Sequence, residues 1–246
     1  MRTNRSRITW ALIVAALFTG CCCPPAGQQT DPPLVLYAVK SDARADTAVK
    51  LETRFGLESN VHVDHLIGLA APAYKTHSES ALPTCYPKYH PLTSYEIFTD
   101  DSVSFVDTLE DQFTVGRYDV HQAKHLLVPV DSLAVGSGLW EAGQQYPSHL
   151  KLYYLKGEDL PQPVTIYTID RFGKQKLAIQ QPEWLAEPAL KNESGQIPNR
   201  KPLVCYRVLD DSLNVNIKVR IVDQFGDARM VVLHPVLFCD PVISID

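Results

Sequence analysis

One four-residue pattern recurs along this chain and limits its possible folds more than any other feature. Asp223-Gln224-Phe225-Gly226 is the fullest form, and Asp170-Arg171-Phe172-Gly173 is close to it. Asp111-Gln112-Phe113 is followed by Thr instead of Gly, and Arg54-Phe55-Gly56 is preceded by Thr53 instead of Asp. Each copy ends a run of alternating apolar residues, so the chain is predicted to contain four copies of one β-rich unit.

A tyrosine upstream and a proline downstream keep nearly constant distances from the phenylalanine of each copy. The intervals from Tyr to Phe are 18, 18, 19 and 19 residues, and those from Phe to the closing Pro are 17, 16, 16 and 16. Agreement within one residue at two separate intervals indicates a duplicated unit. The predicted units are residues 33–75, 91–131, 149–191 and 202–243, with Tyr37, Tyr95, Tyr153 and Tyr206 as their tyrosines.

The alternation before each motif predicts strands with one buried face and one solvated face. In the last unit, Val215, Ile217, Val219 and Ile221 share one face, and polar residues occupy the positions between them. The 18 Pro against 12 Gly favour short strands and rigid connections over long helices. We therefore predict an all-β fold of four tandem antiparallel repeats packed as sandwich-like pairs, with a small four-unit propeller-like ring as the alternative.

The motif residues are predicted to have structural roles and no catalytic role. The phenylalanine is expected to fill the core at a strand end, and the glycine after it to supply a positive φ in the turn. The aspartate can accept hydrogen bonds from backbone amides across that turn. The residues concerned are Phe55, Phe113, Phe172, Phe225, Asp111, Asp170 and Asp223.

The amino terminus resembles the signal of bacterial lipoproteins. Residues 1–7 carry three arginines, and residues 8–18 form an apolar stretch that is too short to span a bilayer. Thr19-Gly20-Cys21 follows directly. In lipoproteins such a cysteine receives a diacylglyceryl group, so Cys21 is the predicted lipidation site. Residues 1–20 are then the signal peptide and residues 21–32 a Pro-rich tether. The alternative is a plain secretory signal cleaved elsewhere, since Phe18 stands where the lipobox usually has Leu.

The rest of the chain is acidic. After the first twenty residues, 20 basic residues stand against 28 acidic ones, a formal charge of −8. Such a chain repels phosphate backbones, so nucleic acid is not an expected partner. We predict an exported protein of the cell envelope, on the outer membrane or the periplasmic face, that contacts the membrane through its lipid anchor.

The combination of Tyr-x-Val, Asp-Gln-Phe-Gly and Leu-x-x-Pro resembles a domain family of unknown function that occurs as tandem copies in secreted bacterial proteins. In the usual copies one Cys precedes the Tyr and another lies two residues before the Pro. The fourth unit has both, in Cys205-Tyr206 and Cys239-Asp240-Pro241, whereas the other three have neither. The resemblance covers most of the chain after the signal. It implies a β-rich module that is non-catalytic or uncharacterised, and it identifies no functional residues.

Cys205 and Cys239 are predicted to form a disulfide between the first and last strands of the fourth unit, which an exported location permits. Closing this 34-residue interval contributes about 3–4 kcal/mol to stability in the chain-entropy model. Cys85 is left over. We expect a lone or tucked-in thiol there, with a catalytic thiol or an intermolecular bridge as the alternatives.

Two groups of histidines resemble metal sites. In a strand, however, His62 and Asp64 share one face while His65 points away, and no further ligand follows at zinc spacing. His121 and His125 are four residues apart, which suits a helix, whereas the repeat predicts a strand there. We expect surface strand residues at the first group, and we predict no catalytic residue, metal or cofactor.

The connections between units are the predicted place for function. Tyr86 and Tyr89 lie in the first connection, and Trp140 and Tyr146 lie in the second. These aromatic residues are predicted either to form a contact surface for a glycan or an envelope protein, or to cover the ends of the sheets.

These observations predict a lipid-anchored, non-catalytic β-repeat protein of the bacterial cell envelope with a binding or structural role. The alternative is an envelope hydrolase that uses Cys85 or the His62, Asp64 and His65 group. A Cys hydrolase needs its thiol, a histidine and an acid to converge in one cleft, which a binding module does not.

Overall fold

The computed structural model describes residues 32–100, 103–135, 138–139, 146, 148–192, 196–209 and 214–245. The predicted signal peptide, Cys21 and Trp140 lie outside these ranges, as does the tether up to residue 31. Within them the chain is almost entirely β, with one short 3-10 helix at Glu79–Ala81. The strands are β1 (Leu34–Lys40), β2 (Arg44–Thr53), β3 (Gly56–Pro72), β4 (Tyr74–Thr76), β5 (Leu92–Phe98), β6 (Phe105–Glu110), β7 (Val115–Val135), β8 (Gly138–Leu139), β9 (His149–Lys156), β10 (Val164–Asp170), β11 (Gly173–Lys191), β12 (Leu203–Val208), β13 (Ile217–Asp223), β14 (Gly226–Pro241) and β15 (Ser244–Ile245).

The same three-strand plan occurs four times in the described residues: a short strand, then a hairpin whose second arm is long. The recurring motif forms the hairpin turn, where Asp223 pairs with Gly226 in the last example. Gly56, Gly173 and Gly226 have φ between 123° and 133°. L side chains rarely adopt such angles, so these turns favour glycine. All strand pairs are antiparallel, and the predicted all-β antiparallel fold is confirmed.

Eight strands close into a circuit of hydrogen-bonded neighbours. The order is β1, β3, β5, β7, β9, β11, β12, β14 and back to β1. Each three-strand set contributes its short strand and its long strand. Neighbouring sets therefore share one continuous sheet, and the closed circuit leaves none of these eight strands with an unpaired edge.

The two faces of the circuit carry two separate cores. The inner core consists largely of residues that pair across neighbouring strands. In each pair, one residue directly precedes a repeat tyrosine, and the other lies two residues before the closing proline of the same unit. The outer face carries the tyrosines and packs against the hairpins. The inner pairs are Leu36 with Ala70, Ser94 with Leu127, Leu152 with Ala186, and Cys205 with Cys239. The last pair is bonded through sulfur, so the predicted disulfide is present and lies inside the circuit.

Opposing sets meet on the outer face at four equivalent contacts, which we call the junctions. At each junction the repeat tyrosine of one set packs edge-on against the motif phenylalanine of the set opposite. The ring centroids are 4.8 to 5.3 Å apart. The pairs are Tyr37 with Phe172, Tyr153 with Phe55, Tyr95 with Phe225, and Tyr206 with Phe113.

The tyrosine hydroxyl of each junction also reaches the first residue of the opposing motif. Tyr37 donates a hydrogen bond of 2.5 Å to one carboxylate oxygen of Asp170, whose other oxygen accepts from the backbone N–H of Phe172 at 2.7 Å. Each aspartate thus holds its own turn and anchors a tyrosine from the opposing set. The equivalent contacts are Tyr95 to Asp223 at 2.9 Å, Tyr206 to Asp111 at 2.6 Å, and Tyr153 with Thr53 at 2.8 Å.

Chain segments also cross between opposing sets. β4, which follows β3, pairs with β10, and the end of β11 pairs with β2. In the same way β15, which follows β14, pairs with β6, and the end of β7 pairs with β13. These exchanges tie the first set to the third and the second to the fourth. The packing therefore has the form of pairs although the sheet is continuous.

Candidate functional site

The end of the circuit opposite the connections contains a cavity of about 440 Å³, which we call the groove. Seven of the eight circuit strands line it. A second cavity of about 660 Å³ adjoins it through Glu183, Trp184 and Arg207, and Tyr154 on the eighth strand, β9, lines this second one. Such volumes are typical of small-molecule sites.

An aromatic wall forms one side of the groove. The rings of His125 and Trp184 lie 4.6 Å apart, and those of Trp184 and Tyr154 lie 5.6 Å apart at an interplanar angle of 76°. Trp184 and Tyr154 are directly opposite each other on neighbouring strands, which places their side chains on one face. His121 continues the wall, with its ring 6.1 Å from that of Tyr154. Because Tyr154 is 41% exposed, this wall is open to solvent.

Two polar atoms at the groove are buried without a hydrogen-bond partner in the described part of the chain. They are Oγ of Ser94, a fully buried residue, and Nδ1 of His125. Burial, with a smaller contribution from the positive charge of Lys124, lowers the pKa of His125 to about 4. The imidazole is therefore neutral at pH 7. A buried polar atom without a partner costs about 1–3 kcal/mol, so both positions need an explanation.

The rim of the groove carries one ion pair. The guanidinium of Arg207 contacts the carboxylate of Glu183, and Arg207 is largely exposed. An exposed pair of this kind contributes about 0–1 kcal/mol to stability. It does place a donor and an acceptor beside Trp184, with little net charge.

The first predicted histidine group forms a surface cluster whose geometry differs from the expectation. Nδ1 of His65 lies 2.8 Å from a carboxylate oxygen of Asp64, so the prediction that His65 points away from Asp64 is wrong. A register shift between β3 and β5 lies at this point, between Val63 and Leu66, and it interrupts the regular alternation of side chains. His62 instead lies 3.7 Å from Asp46. In the part of the chain that the structure describes, no group of three or more His, Cys, Asp or Glu residues is arranged to hold a metal.

Cys85 is not the lone thiol that the sequence predicted. It is disulfide-bonded, so its sulfur supplies no free thiolate. On the sequence alone, the other cysteines are assigned to the predicted anchor and to the Cys205–Cys239 pair, so no bond is predicted for Cys85.

The connection aromatics meet at the other end of the circuit. The rings of Tyr89 and Tyr146 lie 6.2 Å apart, and the guanidinium of Arg200 lies 4.9 Å from the ring of Tyr146. Tyr146 is only 2% exposed and belongs to the inner core, so its assignment to a binding surface is wrong. Tyr86 is 45% exposed, with Arg171 over its ring. Tyr146 therefore covers the inner core at this end.

Sequence analysis missed the residues of the groove. Trp184 and Tyr154 lie inside the predicted third unit, residues 149–191, and Ser94 stands at the position before the tyrosine where the tandem-repeat family usually has cysteine. The available signal was positional: Gly68, His125, Trp184 and Leu237 all lie four residues before a closing proline, and all four line the groove.

Comparisons of the chain with family models, with curated proteins and with solved structures find no match. The resemblance to the tandem-repeat family therefore stays a prediction. Within the described ranges, no helix is long and apolar enough to cross a bilayer.

Proposed function

We propose that this protein is a lipid-anchored binding module of the bacterial cell envelope, and that the groove holds its ligand by non-covalent contacts. The observation that carries the proposal is the combination of an aromatic wall with two buried, unpartnered polar atoms in one cavity. A ligand that paired with both atoms would remove their desolvation cost. Pockets with an apolar lining and a few convergent polar groups are the usual form of small-molecule sites.

The groove favours binding over covalent catalysis. A serine nucleophile needs a base within hydrogen-bond reach. Ser94 and His125 line the same cavity, but the hydroxyl of one and Nδ1 of the other have no partner within the described ranges, so these two atoms are not bonded to each other. Both atoms are buried from solvent, so a bound molecule pairs with them only after a side chain that covers them moves.

The anchor is supported by the basic start, the short apolar stretch and Thr19-Gly20-Cys21. It is tested by mass spectrometry of the amino-terminal peptide of the protein from membranes. We expect Cys21 as the first residue, carrying a diacylglyceryl group. An unmodified Cys21 in the mature protein would contradict the anchor and leave the groove proposal untouched.

Binding at the groove is tested by protein-observed NMR with a fragment library that contains neutral, cationic and anionic ring compounds. We expect some fragments to shift the indole N–H signal of Trp184, and Trp184→Ala to abolish their binding. Phe98→Ala is the matched control, because Phe98 is 49% exposed on β5 and does not line the groove. If no fragment class perturbs the Trp184 signal, the proposed function is wrong.

A further inference from the structure

We infer that the ligand of the groove is a neutral saccharide. This inference rests on the proposed binding function and adds the chemical class of the ligand. It is drawn from the shape of the aromatic wall, from the chemistry of the two unpartnered atoms and from the charge balance of the rim.

The aromatic wall suits a sugar ring. One face of a pyranose exposes several C–H groups, and these pack well against the electron-rich face of an aromatic ring. Trp184 and Tyr154 meet at 76°, so together they present two walls of a corner rather than one flat plate. A corner of this kind contacts both a face and an edge of a saturated ring. The cavity on each side of Trp184 extends the surface beyond one sugar unit.

The unpartnered atoms suit hydroxyl groups. The hydroxyl of Ser94 can donate or accept, and a neutral imidazole nitrogen does one or the other according to its tautomer. A sugar hydroxyl also donates and accepts, so hydroxyls of one saccharide can pair with Ser94 and His125 once the side chains that cover these two atoms move. A quaternary ammonium group could pair with neither atom, and a carboxylate could accept from both but would have to be desolvated beside a neutral imidazole.

The rim suits a neutral ligand. Arg207 and Glu183 neutralise each other, so neither offers an unopposed charge to an ionic ligand. Their remaining N–H groups and lone pairs can bind hydroxyls that point out of the groove. Lys124 is exposed and lines the second cavity but not the groove.

The test is calorimetric titration of the full chain, kept in a detergent without a sugar headgroup, with cellotetraose, maltotetraose and fully N-acetylated chitotetraose. We expect at least one of the three to bind, Trp184→Ala to abolish that binding, and Phe98→Ala to leave it unchanged. Ser94→Ala is the sharper variant. We expect it to weaken binding about three- to tenfold, the effect of one lost hydrogen bond, while the thermal midpoint stays the same or rises. A purely structural role for Ser94 would lower the thermal midpoint together with the affinity.

Two charged probes separate the inference from the proposed function. Benzyltrimethylammonium and benzoate are titrated in the same way, with the Trp184 indole signal as a second readout. Binding of either probe at Trp184 without binding of any saccharide would overturn the saccharide assignment and keep the binding function. If neither the saccharides nor the charged probes perturb Trp184, both are overturned. Equal saccharide affinity in the protein and in Ser94→Ala would also overturn the inference, because it assigns Ser94 a direct contact.

Discussion

The junctions and the groove are made by equivalent positions of the same repeated plan, yet they differ in uniformity. At the junctions the same tyrosine and phenylalanine recur four times, and the partner of the hydroxyl is aspartate in three cases and Thr53 in the fourth. In the groove the four equivalent positions hold Gly68, His125, Trp184 and Leu237. Repetition therefore gives this chain its shape, and departures from repetition give it one asymmetric cavity.

The two regions also differ in how the polar atoms that define them are satisfied. At the junction of Tyr37 and Asp170, both carboxylate oxygens accept hydrogen bonds, and the side-chain amide of Gln175 donates to the same tyrosine hydroxyl, although Oε1 of Gln175 has no partner within the described ranges. In the groove, Ser94 Oγ and His125 Nδ1 are buried without partners within the described ranges. A satisfied network stabilises a fold, whereas unsatisfied atoms cost stability until a ligand pairs with them. The following variants test this division between stability and binding.

Removing a junction tyrosine should have the largest effect on stability. Tyr37→Ala deletes a fully buried ring, leaves Asp170 buried without its hydroxyl partner and removes the ring contact of Phe172. We expect the free energy of unfolding to fall by about 3–5 kcal/mol, measured by urea denaturation. The matched variant is Tyr154→Ala in the aromatic wall, where the ring is 41% exposed and a loss of no more than about 1 kcal/mol is expected. Equal losses would contradict the division.

The disulfide offers the second-largest effect, since its two positions belong to the inner core. Cys205→Ala with Cys239→Ala should lower the free energy of unfolding by about 3–4 kcal/mol, because the unfolded chain regains the entropy of an open loop. Replacing the same pair by Leu and Ala copies the equivalent pair Leu36 and Ala70. We expect this variant to recover part of the loss by filling space. Recovery of the whole loss would mean that packing alone, and not the crosslink, stabilises the fourth unit.

The pH dependence of stability should report on the junction acid Asp170. Burial is the largest cause that raises its pKa, to about 7, although Tyr37 and two backbone amides act in the other direction. The folded protein then binds this proton more tightly than the unfolded chain. The contribution of Asp170 to stability is therefore greatest below about pH 4 and is lost as the pH rises to about 7, a change of roughly 2–4 kcal/mol.

Asp170→Thr isolates this contribution, because Thr53 fills the equivalent place in the first set and contacts Tyr153 at 2.8 Å. The advantage of the natural protein over Asp170→Thr should shrink from pH 4 to pH 7, measured by denaturation at a series of pH values. A difference is needed because His125 and His149, whose pKa values burial lowers to about 4, act with the opposite sign between about pH 4 and 6.5. Parallel curves for the two proteins would show that Asp170 does not titrate in this range.

Local features of the fold were predictable from the sequence, because alternation and turn residues act over a few positions. The all-β fold and the hairpin turns at the motif followed from such patterns, as did the strand at His121 and His125. The pairing of each tyrosine with a phenylalanine at the junctions did not follow from the sequence. Spacing within a unit links Tyr37 to Phe55, whereas the structure packs Tyr37 against Phe172, which belongs to the opposing set. No local pattern states which distant copy faces which.

The groove could not be predicted from the sequence for a related reason. Gly68, His125, Trp184 and Leu237 converge only because eight strands close into a circuit, and closure depends on pairings between units. Tyr146 shows the same limit, since the sequence left open whether this aromatic residue forms a contact surface or covers the end of the sheets, and in the structure it covers the inner core. The repeat spacing makes these four positions equivalent, but it does not show that they share one cavity.

The smallest predicted effects come from two adjacent residues that separate the regions most sharply. Thr93 faces a junction and donates a hydrogen bond of 2.6 Å to the carboxylate of Asp223, whereas Ser94 faces the groove with its hydroxyl unpartnered among the described residues. Thr93→Val removes the hydroxyl at nearly constant volume and should cost about 1.5–3 kcal/mol, because the bond is to a carboxylate. Ser94→Ala should change stability by less than about 0.5 kcal/mol or raise it, since no bond is lost. Both are measured by thermal and urea denaturation of the protein without ligand. A larger loss for Ser94→Ala than for Thr93→Val would mean that the inner face of β5 stabilises the fold. That result would contradict the assignment of stability to the junctions and of binding to the groove.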